Sequence, residues 1–156
     1  VLLNGKPAQI TIPSVSRGNE RHYRFGPVKS AVSSRSYRHR QYTFEGNGYR
    51  PYPVVHLRAR ESGPDLNISW IRQTRTDGDR WGQQDVPLGE DSETYVVRVR
   101  QGLTILREVT RSSPTWTYSA AQRAADVGTA SFTIDVAQVS DRYGPGPAVD
   151  ITLAAG

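Results

Sequence analysis

The chain has 156 residues, 36% of them hydrophobic, with 14 Gly, 10 Pro, no Cys and no Met. That length suits one domain, or one domain plus a smaller piece, and the Gly/Pro load fits a loop-rich all-β protein better than a helical one. Absent cysteine excludes disulfide staples, thiolate nucleophiles and Cys-based metal centres, and the +5 net charge raises the question of an anionic partner. No apolar run approaches the roughly 18–20 residues of a membrane-spanning helix, so no membrane span is expected. A start at Val1 without any Met or leader pattern is what a piece of a longer chain would show. Eighteen of the 20 basic residues are Arg. They read as dispersed along the chain with no dense basic run, a bias that GC-rich codon usage produces without any nucleic-acid role.

Residues 1–50 carry strand signals but few apolar residues. "VLLNGKPAQITI" predicts two strands about an Asn4-Gly5 turn, and "RHYRFGPV" and "RQYTF" predict two more, separated by polar runs such as 33–36. Too little apolar surface remains for an independent core. This segment is therefore expected to be a β-rich strap or the end of an upstream domain. In "EGNGYRPYPVV" two Gly and two Pro mark a boundary, and residues 51–156 form the main domain.

Strict alternation then takes over. Leu66, Ile68 and Trp70 share one face, as do Tyr95, Val97 and Val99, then Phe132, Ile134 and Val136, then Val149, Ile151 and Leu153. Trp116 and Tyr118 do the same on a shorter strand, and 54–60 supplies another. In 103–110 the inward face is ambiguous. Strands are predicted at 54–60, 65–72, 94–101, 104–110, 115–119, 131–139 and 148–154. Turn residues such as Ser62-Gly63-Pro64 and Gly144-Pro145-Gly146-Pro147 separate them. "AAQRAADV" predicts one short helix, with Ser119 able to cap it and Gly128 to end it. Seven short strands in about a hundred residues predict an antiparallel sandwich.

The Trp of the second of these strands, the Tyr-x-Val-x-Val third and the Phe-x-Ile-x-Val sixth resemble the fibronectin type III module over Pro53–Leu153. Phe132 stands where that module normally has Tyr, and the 73–93 loop is longer than usual. Beyond the module, "HYRFGPV", "GYRPYPVVHLRAR", "DLNISWIRQTRTDGDRW", "VPLGEDSETYVVRV", "TYSAAQRAADVG" and "VAQVSDRYGPGP" are similar to a second group. That group is the C-terminal part of the large tail-tip, or baseplate, protein of gene transfer agents and related tailed phages. "WIRQTRTDGDRW" and "VPLGEDSE" are the most specific of these phrases. The resemblance implies a non-enzymatic component of a virion-like tail tip, assembled in the bacterial cytoplasm and then extracellular. Its implied partners are other tail subunits and a host cell-surface glycan or envelope protein.

The residues themselves offer no reaction centre. His22, His39 and His56 lack the His-x-x-x-His spacing of two ligands on one helix face, and no Gly-x-Ser-x-Gly elbow occurs. Glu90-Asp91-x-Glu93 reads as a solvated turn rather than the opposed acid pair of a glycosidase. Asp77-Gly78-Asp79 lacks the further oxygen ligands of a calcium loop, and Gly46–Gly48 lacks the following helix that phosphate binding needs. Neither a catalytic residue, a metal nor a cofactor is expected.

What remains is a loop end. In a fibronectin-type topology the 73–93 loop, the 111–114 turn and the 140–147 loop gather at one end of the sandwich, bringing Arg75, Arg80, Trp81, Arg142 and Tyr143 together. Aromatic plus Arg is the composition of binding hot spots. The alternative function is a carbohydrate-binding accessory module of a secreted polysaccharide-degrading enzyme, with these aromatics as a sugar platform. A nucleic-acid binder needs basic residues interleaved with aromatics on one surface. The linear sequence shows no clear case, so no specific nucleic-acid partner is expected.

Overall fold

The structure, a computed structural model, describes residues 11–75 and 87–154. The expected Asn4-Gly5 hairpin, the Asp77-Gly78-Asp79 loop, Arg80 and Trp81 lie outside them. The chain divides into two compact units, Val1–Asn47 and Gly48–Gly156.

In the first unit β1 (Glu20–Phe25) pairs antiparallel with β2 (Arg38–Thr43), from Glu20↔Thr43 to Phe25↔Arg38. The Gly18 amide, bonded to the Phe44 carbonyl at 3.1 Å, prolongs the ribbon. Its connection is held by short-range bonds, Ser34 N to Ala31 O at 2.8 Å and Tyr37 N to Ser34 O at 3.0 Å. The Tyr37 ring lies over Gly26, where a Cβ would come within 2.4 Å of it, so a side chain there would have to displace the ring. No residue of this unit whose burial is described is fully buried.

The second unit is a sandwich. β3 (Val55–Ser62), β4 (Asp65–Ile71), β5 (Tyr95–Gln101), β6 (Thr104–Arg111), β7 (Thr115–Tyr118), β8 (Phe132–Ser140), β9 (Gly144–Pro145) and β10 (Val149–Leu153) follow in order. One sheet runs β3-β4-β7; the other runs β10-β8-β5-β6, with β9 added to the end of β8. All pairings are antiparallel. Each of the seven predicted strands is present, and this is the sheet division expected of a fibronectin-type module. His56, expected at the start of a strand, sits there with φ +52° at a bulge in the β3–β4 register.

The alternating residues meet in one core. Ile68, Trp70 and Trp116 from one sheet pack with Tyr95, Val97, Val99, Phe132, Ile134 and Val136 from the other, all buried. Each such aliphatic side chain contributes roughly 1.5–3 kcal/mol through burial. Trp70 meets Tyr95 edge-on at 5.2 Å between ring centres, and Tyr118 meets Phe132 at 6.0 Å, the geometry that ring quadrupoles prefer. The ambiguous face of 103–110 has a structural cause. A bulge between Val99 and Arg100 shifts the β5–β6 register, so Val109 and Leu106 both reach the core although their spacing is odd.

The predicted helix is α1 (Ala120–Asp126), one short element joining β7 to β8. Ser119 and Gln122 form a reciprocal capping box. Gly128, at φ +56°, follows the C-terminus and returns its amide to the Arg123 carbonyl at 3.2 Å. The last residue of α1 ties three elements: Asp126 accepts from Arg107 of β6 at 2.5 and 3.0 Å and from the Tyr118 hydroxyl of β7 at 2.7 Å. Among the described residues no helix is long and apolar enough to cross a membrane.

Candidate partner-binding face

The strand directions place the β4–β5 loop, the β6–β7 turn and the β8–β10 loop at one end of the sandwich. The Trp70 amide reaches the Pro114 carbonyl at 3.1 Å, and the Val139 amide reaches the Thr94 carbonyl at 2.8 Å, joining these connections to neighbouring strands. Of the five residues expected at this end, Arg75, Arg142 and Tyr143 are described; Arg80 and Trp81 are not.

The acidic run 90–93 is solvated only in part, at Asp91, while the Glu90 side chain is nearly buried. Its acids face arginines of their own β4–β5 loop and one arginine of the β8–β10 loop. Arg75 Nη2 lies 2.8 Å from Glu90 Oε1, whose side chain is only 7% exposed. Arg142 binds Asp91 through both its Nε and Nη2, at 2.8 and 3.2 Å, across 51 residues of sequence. Between them Ser92 Oγ donates to Asp141 at 2.9 Å. Below, Glu93 accepts from the Tyr95 hydroxyl at 2.8 Å and lies 3.9 Å from Arg72. Asp91 holds the Arg142 guanidinium more firmly charged than usual, chiefly by hydrogen bonding. Burial, reinforced by Glu93, pushes the Tyr95 hydroxyl pKa far above its ordinary value. The sequence had a signal for this arrangement: three acids at 90–93 against Arg72 and Arg75 on the same loop and Arg142 on another.

Tyr143 stacks on the exposed Tyr49, with ring centres 5.2 Å apart and planes 26° apart. The loop carrying it sits close on the entry segment of the sandwich. Gly146 donates to the Gln138 carbonyl at 2.9 Å, and a Cβ on it would come 2.3 Å from the Pro51 carbonyl oxygen. Of the predicted site, then, Arg75 closes a contact within the β4–β5 loop, Arg142 braces that loop against the β8–β10 loop, and Tyr143 contributes to an aromatic pair at the rim.

At the opposite end, Glu61, Leu66, Arg123, Phe132 and Leu153 line an open groove of about 380 Å³. Among the described residues, no three His, Asp or Glu side chains are placed to hold a metal ion. The structure does bring together two histidines that lie far apart in sequence. His22 Nδ1 and His39 Nε2 are 2.9 Å apart with the rings parallel, and Glu20 lies 3.2 Å from the other His22 nitrogen.

The arginines are scattered as read from the sequence, but the net charge divides unevenly between the units. Residues 1–47 hold eight Lys/Arg and two acids, net +6, whereas 48–156 hold twelve and thirteen, net −1. The cations are spread over both units; the acids are not, so the positive excess falls in the small unit. Counting by unit instead of along the whole chain would have found this.

No family model and no curated protein matches the sequence. Among solved structures, the chain is similar to domains d3–d4 of the rat CD45 extracellular region, at 10% identity, over 99% of this chain and 74% of that one, with a TM-score of 0.51. It also aligns with titin domains A168–A170 at 12% identity, over 76% of this chain and 36% of that one, TM-score 0.48. The fibronectin type III domain of human fibronectin type III domain containing protein 3 aligns at 11% identity, over 69% of this chain and 89% of that one, TM-score 0.42. At such identities likeness speaks for the fold alone: the chain is all-β, with a fibronectin type III-like antiparallel sandwich preceded by a smaller β-rich segment.

Proposed function

We propose that this chain is a non-enzymatic structural module of a phage-like tail tip, serving tail assembly and contact with a host surface. One observation carries the reading. The two phrases that resemble tail-tip proteins most specifically, and one further phrase of that resemblance, are joined by ion pairs in this fold. "WIRQTRTDGDRW" supplies Arg72 and Arg75, "VPLGEDSE" supplies Glu90, Asp91 and Glu93, and "VSDRYGPGP" supplies Arg142 and Tyr143. Ion pairs between these phrases stiffen one end of a rigid sandwich, and a stiff loop cluster presents a partner with a surface already organised. Arg80 and Trp81, within the same stretch of sequence, complete the proposed face.

The test is location and loss. Antibody raised against the chain should decorate the tail ends of particles purified from the producing bacterium. Arg80→Ala with Trp81→Ala should reduce particle assembly or cell adsorption while leaving the thermal midpoint unchanged. Particles that lack the chain would sink the proposal. Saturable binding of the isolated chain to a polysaccharide, lost in the same double variant, would instead favour the carbohydrate-binding module.

A further inference from the structure

One face of the β1–β2 ribbon is a checkerboard of rings and guanidinium groups. The register pairs Arg21 with Tyr42, Tyr23 with Arg40 and Phe25 with Arg38, so every cross-strand pair on this face joins one arginine to one aromatic. Phe44 extends it, its ring centre 6.2 Å from that of Tyr23 and 6.0 Å from that of Tyr42. Phe25 is 51% exposed, Tyr42 45% and Phe44 38%. Arg38 and Arg40 are exposed and form no ion pair among the described residues. Glu20, the only acid within the two strands, belongs to the opposite face, where it accepts from Gln41 at 3.1 Å.

From this juxtaposition we infer that the ribbon face binds single-stranded nucleic acid, with bases stacking on the rings and phosphates received by Arg21, Arg38 and Arg40. Charge complementarity selects a polyanion, since the unit is net +6. The rings select among polyanions. Same-face residues recur about every 7 Å along a strand, alternating a flat apolar surface with a forked donor that fits phosphate oxygens. Unstacked bases use both surfaces at once. An acidic protein segment would satisfy the arginines and leave the rings without planar partners. A duplex would present its bases already stacked. The linear sequence conceals this pattern because its arginines and aromatics come from strands 12 residues apart, joined only by the register. The inference is independent of the tail-tip reading and stands or falls separately from it.

The experiment is an anisotropy titration of the full chain into fluorescent oligothymidylate at several salt concentrations. Three phosphate contacts give a log–log salt slope of about −2, and Arg38→Ala with Arg40→Ala should remove about 1.4 of it. Tyr23→Ala with Tyr42→Ala should weaken binding roughly tenfold or more, while Tyr23→Phe with Tyr42→Phe, which keeps both rings, should bind as the parent does. An abasic phosphodiester oligomer of equal length should bind at least roughly tenfold more weakly than oligothymidylate, because it carries the charge without the bases. Photocrosslinking of bromouridine-containing oligomer to the unaltered chain should map to Tyr23, Phe25 or Tyr42, a readout that needs no variant to fold. Equal affinity for the abasic oligomer, tighter binding of polyglutamate or duplex, crosslinks confined to the sandwich, or no binding at low salt would each overturn the inference.

Discussion

The two units treat the same residue types in opposite ways. In the sandwich, Trp70, Tyr95, Trp116 and Tyr118 are buried, and Arg75, Arg98, Arg100, Arg107 and Arg142 each face a carboxylate. In the ribbon, Phe25, Tyr42 and Phe44 are exposed, and eight cations share two acids across the unit. Charge that meets its counter-charge within the fold cross-links a scaffold, whereas charge left in excess on a ribbon without a core is available to something outside it. The net charge of +5 therefore describes neither unit.

The largest expected difference between them lies in core truncation. Trp70→Ala should cost about 3–5 kcal/mol, as large aromatic-to-alanine changes in cores do. Tyr23→Ala should move the same unfolding transition by less than about 0.5 kcal/mol, as surface changes do. Urea denaturation followed by tryptophan fluorescence measures both. A peptide of residues 1–50 alone should show no cooperative transition, because a two-stranded ribbon is marginal by itself. Equal costs for the two substitutions would merge the units into one cooperative structure and break the comparison.

Next comes the Asp126 knot. Arg107 holds the Asp126 carboxyl below the usual carboxylate range, chiefly by hydrogen bonding, and Tyr118 adds to this. Burial, then the bond to Asp126, pushes the Tyr118 hydroxyl well above its ordinary value. A carboxylate with a lowered folded pKa contributes stability above its unfolded value, and that contribution is lost as pH falls below about 4. A tyrosine with a raised folded pKa contributes stability that is lost as pH rises above about 10. Asp126→Asn should cost about 2–3 kcal/mol at neutral pH, since it leaves Arg107 without its partner, and should flatten the acid limb of the stability profile. Thermal midpoints across pH for parent and variant provide the check.

Smaller effects sharpen the account of the loop end. Gly146→Ala must move the Pro51 carbonyl or the loop itself and should cost about 1–3 kcal/mol, read from denaturant midpoints. Removal of the exposed Arg142–Asp91 pair should leave the midpoint unchanged within error, because both side chains are largely in water. Glu90→Gln, which strips Arg75 of a counter-charge buried to 7% exposure, should shift it measurably. If the exposed pair proves the more important, the bracing role belongs to the rim and not to the buried contact.

The sandwich was legible in the sequence wherever strands alternate. Leu66-x-Ile68-x-Trp70 and Phe132-x-Ile134-x-Val136 declare their inner faces within five residues each, without reference to the rest of the chain. Strand β6 resisted because the bulge against Val99 and Arg100 breaks its parity, and a bulge is a property of the pair. The loop end was legible as a place but not as an electrostatic state. Its arginines looked free because Asp91 and Arg142 are 51 residues apart.

The sequence by itself determined what depends on neighbours two to four residues away. That includes the strands, the Ser119 cap, the Gly128 stop and the all-β class. Tertiary structure alone decided what depends on register and on loops meeting. Which arginines are neutralised, how Asp126 joins three elements, and how Arg and aromatic residues interleave on the ribbon are all of that kind. Local alternation follows from backbone geometry that every residue shares. A charge finds its partner only after the chain has closed, because the distance that sets the strength of an ion pair is not written in sequence separation.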